Sequence, residues 1–96
     1  MEYLLVYDIS TEDAAGERRL RRVAKICEGF GHRVQKSVFE CDLEAAQVRL
    51  LLHRLAAEID LDSDRVAIYR LREPHLRYVR TLGRGPELDW RGPVVL

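Results

Sequence analysis

The chain has 96 residues, which is enough for one domain and too few for two. Its 16 basic and 16 acidic residues cancel, which argues against a simple polycation that coats nucleic acid. No segment approaches the ~20 apolar residues that a membrane span needs, and the first two residues, Met1 and Glu2, lack the basic start of a secretory signal. We therefore expect one cytoplasmic domain without a membrane partner.

The opening of the chain is predicted to be a buried strand that ends in an acid. Residues 3–7 are aromatic, branched or aliphatic without polar alternation, which is typical of a strand covered on both faces. Tyr7 and Asp8 close this run, and a turn through residues 10–13 leads into a helix. A carboxylate at the end of such a strand needs a cation, a hydrogen-bond donor or water. Asp8 is therefore either the cap of that turn or a functional acid.

The first helix is predicted from about residue 17 to residue 28. Its core-facing stripe has the spacing i, i+3, i+4 and i+7 and consists of Leu20, Val23, Ala24 and Cys27. The opposite face is basic and carries Arg18, Arg21, Arg22 and Lys25. This face is either an ordinary solvated surface or a compact positive patch. Arg, which outnumbers Lys throughout the chain, has a planar side chain that suits phosphate.

Residues 33–41 are strand-like, but the alternation of their side chains is broken. Val34 and Val38 share one face, whereas Phe39 and Cys41 share the other. A kink, bulge or tight reversal at Lys36 and Ser37 would give one bent strand or two short ones. Cys41 and Cys27 have no metal-ligand spacing, so we expect buried thiols in a reducing compartment.

The second helix is predicted to open at Asp42 or Glu44 and to end near residue 59. Its apolar stripe is Val48, Leu51, Leu52, Leu55 and Ile59, and His53 projects away from that stripe as a surface residue. Residues 60–64 follow as an acidic block that lacks the central Gly and the distal Glu of a calcium loop. We expect this block to be a solvated turn.

The last part of the chain contains two further predicted strands, at residues 65–71 and 77–82, joined by a turn at 73–75. The tail, residues 83–96, ends in apolar residues that are costly to expose. Adding the tail to a sheet edge of a second copy or of another partner would bury these residues.

The order strand, helix, one or two strands, helix, strand predicts an α+β fold, the ferredoxin-like βαββαβ sandwich. Both helices then cover one face of an antiparallel sheet. We expect the core domain to span residues 1–82, including the extra strand at 77–82. The extra strand and the tail would cover the second face most simply by crossing into another copy, so the prediction is a two-fold homodimer.

Three segments together resemble the second CRISPR-associated protein family, the small adaptation nuclease. They are residues 3–10, the basic helix, and residues 31–41, which contain the run Arg33-Val34-Gln35-x-Ser37-Val38-Phe39-Glu40. The resemblance extends from residue 3 to the late strand and fades in the tail.

The resemblance implies that Asp8 lies near the dimer axis, where two copies hold a divalent metal, usually Mg²⁺. Mg²⁺ accepts one or two carboxylates and keeps several waters, so one acid from each copy is sufficient. Asp8 is accordingly the expected metal ligand and catalytic residue. The positions that match the family's nucleic-acid-binding residues are Tyr7, Arg18, Arg19, Arg22, Arg33 and Phe39. For Phe39 a core role is equally open.

Two functions follow from the resemblance and can coexist. The first is a metal-dependent endonuclease that cuts RNA or DNA phosphodiesters. The second is a scaffold that sits between dimers of the CRISPR integrase and holds duplex DNA during spacer acquisition. A toxin-like ribonuclease and a metal-free ferredoxin-like module that binds a small ligand are lesser alternatives.

Overall fold

The computed structural model describes residues 1–72 and 80–83. The described elements, in chain order, are β1 (Glu2–Asp8), α1 (Ala14–Glu28), β2 (His32–Gln35), β3 (Val38–Asp42), α2 (Ala45–Glu58) and β4 (Arg65–Leu71). The four strands form one sheet in the order β2-β3-β1-β4, and every adjacent pair is antiparallel. This is the topology of the ferredoxin-like fold, so the predicted α+β class is confirmed.

One face of the sheet and both helices enclose the core. Leu5 of β1 lies opposite Phe39 of β3, and both are fully buried. The core-facing stripe predicted for α1 is confirmed, because Val23 and Cys27 are buried and their partners in the stripe pack against them. In α2, Leu51 and Leu55 are buried as expected, whereas Leu52 is 38% exposed and lies outside the core. His53 is exposed, as predicted.

The other face of the sheet has an apolar centre with charged residues such as Glu40 around it, and the described residues cover it only partly. Leu4 and Val6 alternate with the buried residues of β1 and are half-buried. Their partners in β4 are Tyr69 and Ala67, and Tyr69 is 51% exposed. We call this surface, formed by Leu4, Val6, Val38, Ala67 and Tyr69, the open face. The prediction that β1 is buried on both faces is therefore confirmed for the face that packs against the helices. On the open face, the described residues bury β1 only in part.

The break predicted at Lys36 and Ser37 is a turn between two short strands. β2 pairs with β3 antiparallel, and their register shifts between Arg33 and Gln35. The backbone N–H of Tyr7 donates to the Ser37 carbonyl at 3.1 Å, and the Tyr7 hydroxyl donates to the Lys36 carbonyl at 3.1 Å. Tyr7 thus anchors this turn to β1.

The start of each helix is fixed by a nearby side chain that accepts a backbone hydrogen bond. α1 begins at Ala14, earlier than predicted, because the Asp13 side chain accepts a hydrogen bond from the Gly16 N–H at 2.8 Å. Asp13 rather than Asp8 is therefore the cap of α1. α2 begins after Glu44, as predicted, and the Gln47 side chain accepts a hydrogen bond from the Glu44 N–H at 2.8 Å.

The acidic block at residues 60–64 is not simply a solvated turn, which corrects the sequence-based expectation. The Asp64 side chain is 0% exposed and forms an ion pair with Arg19, whose Nε lies 2.8 Å from Oδ2. Asp64 also accepts hydrogen bonds from the Ser10 N–H at 2.9 Å and the Asp60 N–H at 2.8 Å. This buried carboxylate joins α1, the β1–α1 connection and the turn before β4. The expectation failed because two of its donors, Arg19 and the Ser10 N–H, lie far away in sequence.

Part of the predicted C-terminal organisation lies outside the described residues. This applies to the turn at 73–75, most of the strand at 77–82 and the tail after residue 83. Within the described segment 80–83, Thr81 forms an isolated bridge. No helix in the described part of the chain is long and apolar enough to cross a membrane.

The first prediction concerns the close approach of α1 to the β1–α1 connection. A Cβ at Gly16 would collide with the Ser10 carbonyl oxygen and would lie 3.2 Å from the Thr11 Cα. We expect Gly16→Ala to lower the free energy of unfolding by about 2 kcal/mol, although Ala is the better helix former. Urea denaturation measures this change. Gly29→Ala is the control, because a Cβ there meets only the Ile26 carbonyl oxygen at 3.3 Å; equal losses in both variants would contradict the prediction.

The second prediction concerns the pH dependence of stability. The Arg19 hydrogen bond, assisted by the backbone donors, lowers the pKa of Asp64 from 3.8 to about 2. A carboxyl group whose pKa is lower in the folded state stabilises the fold above its unfolded pKa and loses that contribution as the pH falls through the folded pKa. Wild-type protein should therefore lose about 2 kcal/mol between pH 4 and pH 2 through this group.

Asp64→Asn tests this assignment, because the amide cannot titrate and offers fewer acceptor lone pairs. We expect lower stability at neutral pH and a flatter stability profile between pH 4 and pH 2, measured by urea denaturation. Asp62→Asn removes an exposed carboxylate of the same turn and should change neither quantity. A profile in Asp64→Asn as steep as that of the wild type would contradict the assignment.

Candidate metal and nucleic-acid site

Asp8 is the last residue of β1, one of the two inner strands of the sheet, and its side chain is exposed. It shares the open face with Leu4 and Val6, because alternate residues of a strand point to the same side. In the register of β1 and β4, the residue opposite Asp8 is Arg65. Among the described residues, none forms a hydrogen bond or an ion pair with the Asp8 carboxylate. Asp8 is therefore available to an external ligand.

A single copy of the chain offers an incomplete metal site. Within residues 1–72 and 80–83, no group of three or more His, Cys, Asp or Glu side chains could hold a metal ion. Asp8 nevertheless fits one half of a shared Mg²⁺ site, since Mg²⁺ binds through one or two carboxylates and retains waters. The residue that would hold the metal in each copy is Asp8.

Tyr7 lies on the opposite side of β1 from Asp8. Its side chain is 3% exposed, and burial raises the pKa of its phenol. Its hydroxyl is already bonded to the Lys36 carbonyl. Tyr7 is thus a core residue that holds the β2–β3 turn, which corrects its placement among the nucleic-acid-binding residues.

Phe39 is also a core residue, and Arg33 covers it. Phe39 is 0% exposed, and its ring centroid lies 6.1 Å from that of Tyr7. The Arg33 guanidinium carbon lies 5.2 Å from the centroid of the Phe39 ring, and Arg33 forms an ion pair with Glu28 at 3.6 Å. The core role left open for Phe39 is therefore the one observed, whereas Arg33 remains accessible at the surface, with 42% of its side chain exposed.

The basic residues of α1 divide into two groups. Arg18, Arg21, Arg22 and Lys25 are exposed, and we call them the basic face. Arg22 approaches Glu58 at 3.8 Å with 63% of its side chain exposed, so this surface pair contributes little to stability. Arg19 lies outside this row of exposed residues. Its side chain is 18% exposed and forms an ion pair with Asp64. Its side chain supports the fold and is not part of the basic face.

The two thiols belong to the interior, as predicted. Cys27 and Cys41 are free and buried. Burial raises the pKa of Cys27 to about 12 and that of Cys41 to about 11. Both side chains therefore stay protonated at neutral pH, which makes them poor nucleophiles and poor metal ligands.

Two residues of the site region were missed from the sequence. Asp64 was assigned to a solvated turn, and Arg65 was not singled out at all. Their positions beside the end of β1 depend on how β4 pairs with β1, and no local pattern in the sequence specifies that register. The sequence offered only one local indication of these residues, namely that the acidic Asp64 directly precedes a predicted strand.

Comparisons with known proteins agree with this fold. A family model described as CRISPR associated protein Cas2 matches residues 1–79. The chain is 51% identical over 96 residues to the CRISPR-associated endoribonuclease Cas2 1 of Moorella thermoacetica, with 100% of both chains covered. It is 39% identical to the CRISPR-associated endonuclease Cas2 of Halalkalibacterium halodurans, with 99% of both chains covered.

Solved structures give the same result. The crystal structure of Streptococcus pyogenes Cas2 superimposes with a TM-score of 0.79 at 46% identity and covers 86% of this chain and 100% of that chain. A hypothetical protein from Thermus thermophilus superimposes with a TM-score of 0.73 at 34% identity, covering 88% of this chain and 93% of that one. The sequence run from Arg33 to Glu40, the strand order and these matches agree, and the chain belongs to the Cas2 family of CRISPR-associated proteins.

Proposed function

We propose that this chain forms a two-fold homodimer that hydrolyses RNA or DNA phosphodiesters with a divalent metal, and that it acts in CRISPR adaptation. Its relatives are named endoribonucleases or endonucleases. The observation that carries the proposal is the exposed Asp8 carboxylate, which ends β1 and has no partner among the described residues.

The open face supports the dimer. Its apolar side chains, among them Leu4 and Val6, are only half-buried by the described residues. Apolar surface of this kind gains free energy when a second copy covers it, at roughly 25 cal/mol per Å² of area removed from water. Asp8 lies at one end of the same face. A two-fold axis passing near that end would bring the two Asp8 carboxylates together.

The chemistry needs few protein groups. When bound, Mg²⁺ supplies charge neutralisation at the phosphate and a water that deprotonates more easily. Each Asp8 would hold the metal through a carboxylate oxygen. The surrounding apolar residues of the open face would exclude bulk water and thereby strengthen the electrostatic interactions at this site.

The basic face supports a second function, that of a scaffold for duplex DNA beside the CRISPR integrase. Arg18 and Arg22 lie four residues apart, so they are neighbours on one side of α1. Cations in such a row contact phosphates without reading bases, which gives binding that is tolerant of sequence and weakened by salt. This function uses residues other than Asp8.

The third prediction separates the two functions at Asp8. Asp8→Ala should lower Mg²⁺-dependent cleavage of labelled single-stranded RNA or duplex DNA by more than about a hundredfold. The Kd for duplex DNA and the dimer mass should stay unchanged, because the basic face is intact. Asp62→Ala removes an exposed acid elsewhere and is the matched control. Cleavage by the wild type that persists with chelator, or in Asp8→Ala, would contradict the proposed metal site.

The fourth prediction concerns the basic face. Arg18→Glu combined with Arg22→Glu should weaken duplex binding by about tenfold or more at low salt and should reduce its salt dependence, since fewer phosphates are then neutralised. Fluorescence anisotropy across a salt series measures both. The single variant Arg18→Glu is compared with Arg49→Glu, which makes the same change of charge at an exposed position of α2. Equal weakening by these two single variants would show a general charge effect and would contradict a specific role for α1.

A further inference from the structure

Arg65 lies directly opposite Asp8 in the final pair of the β1–β4 ladder. Directly opposed residues of antiparallel strands point to the same face, with their Cβ atoms about 4.5–5.5 Å apart. Arg65 is exposed, as Asp8 is. The register therefore places Arg65 beside Asp8, on the same face and at the same end of the sheet, with its guanidinium free to approach a ligand of that carboxylate.

The guanidinium of Arg65 is not neutralised within the described part of the chain. The ion pairs found there use other side chains, and Arg65 forms neither an ion pair nor a hydrogen bond with Asp8. An exposed pair of opposite charges across a strand end would contribute only about 0–1 kcal/mol to stability in any case. The fold thus does not depend on the charge of Arg65.

The backbone at this pair is held on both strands by one carboxylate. Asp64 directly precedes Arg65, and its side chain accepts a hydrogen bond from the N–H of Ser10, two residues after Asp8. Arg19 fixes the same carboxylate from α1. The backbone spacing between Asp8 and Arg65 is therefore set before any ligand binds, so only the two side chains need to adjust when a substrate arrives.

Among the described arginines in and next to β4, Arg65 is the one that lies beside Asp8. Arg70 lies opposite Tyr3, so it points to the helix side of the sheet and away from Asp8. Arg72 follows the last residue of β4, at the far end from Asp8. Arg65 alone in this strand shares both the face and the end with the candidate metal ligand.

We infer that Arg65 binds the scissile phosphate beside the metal that Asp8 would hold and stabilises the charge that develops on that phosphate; the inference rests on the proposed nuclease function. In hydrolysis, the oxygen of a water bonds to phosphorus and that water gives up a proton to the solvent, while the bond from phosphorus to the leaving oxygen breaks. The leaving oxygen takes a proton from the solvent, so the products are a phosphate monoester and a hydroxyl group. The non-bridging oxygens carry the excess charge in the transition state. A guanidinium matches two such oxygens with parallel N–H donors.

The test has a binding arm and a cleavage arm, both on the full-length dimer. In the binding arm, the Kd of fluorescein-labelled single-stranded RNA is measured with chelator over a series of salt concentrations. Arg65→Ala should reduce the slope of log K against log salt by about 0.7 for each phosphate that the protein no longer neutralises. Arg70→Ala removes an Arg from the opposite face of the same strand and should leave the slope unchanged.

In the cleavage arm, single-turnover rates are measured with Mg²⁺ on the substrate that the wild type cuts. We expect Arg65→Ala to lower the rate at saturating protein by about 10²–10³-fold. Arg65→Lys keeps the charge without the planar fork, so it should retain the salt slope and recover part of the rate. Sedimentation analysis verifies that each variant is still a dimer.

The outcomes separate this inference from the proposed function. If the wild type cleaves and Arg65→Ala keeps its rate within twofold, the inference is overturned while the nuclease stands. An unchanged salt slope in Arg65→Ala also overturns the inference. Loss of the dimer in that variant overturns it as well and makes Arg65 an interface residue. A wild type that does not cleave overturns the nuclease and the catalytic role of Arg65 together, and a reduced slope would then support only phosphate binding.

Discussion

The structure around the candidate site depends on one buried carboxylate, that of Asp64. A carboxylate without solvent is costly unless donors surround it, and here Arg19 and the backbone N–H groups of Ser10 and Asp60 supply them. These donors come from α1, from the segment after β1 and from the turn before β4. The same interaction that neutralises Asp64 therefore fixes the two strand ends that carry Asp8 and Arg65.

The alternation of side chains in β1 gives neighbouring residues different roles. Tyr7 points into the core, where its hydroxyl holds the β2–β3 turn, whereas Asp8 points to the open face. The two residues stand together in the sequence but cannot act on one ligand from one side of the sheet. A conspicuous pair in the sequence thus separates into an anchor of the fold and an exposed acid, which is the candidate metal ligand.

Local patterns predicted much of this fold, because helices and strands follow the spacing of apolar residues. The stripe of α1, the start of α2 and the break at Lys36 and Ser37 were all found this way. The patterns failed at Leu52, whose exposure depends on how α2 is rotated against the sheet. They also failed at Asp64, whose Arg19 partner lies 45 residues away. Asp8 could be selected from the sequence, but Arg65 could not, since strand register is a tertiary property.

The geometry also bears on the two proposed functions, because it separates the residues that each would use. The residues of α1 that face the sheet are apolar, so its basic face, with Arg18 and Arg22, is directed away from the sheet. Asp8 lies on the other side of the sheet from the helices. A nucleic acid that follows the basic face of one copy therefore does not reach the Asp8 of that same copy from the helix side. Under the proposed function, duplex binding on the basic face and hydrolysis at Asp8 would use separate surfaces, so a substitution at Asp8 would leave duplex binding on the basic face intact.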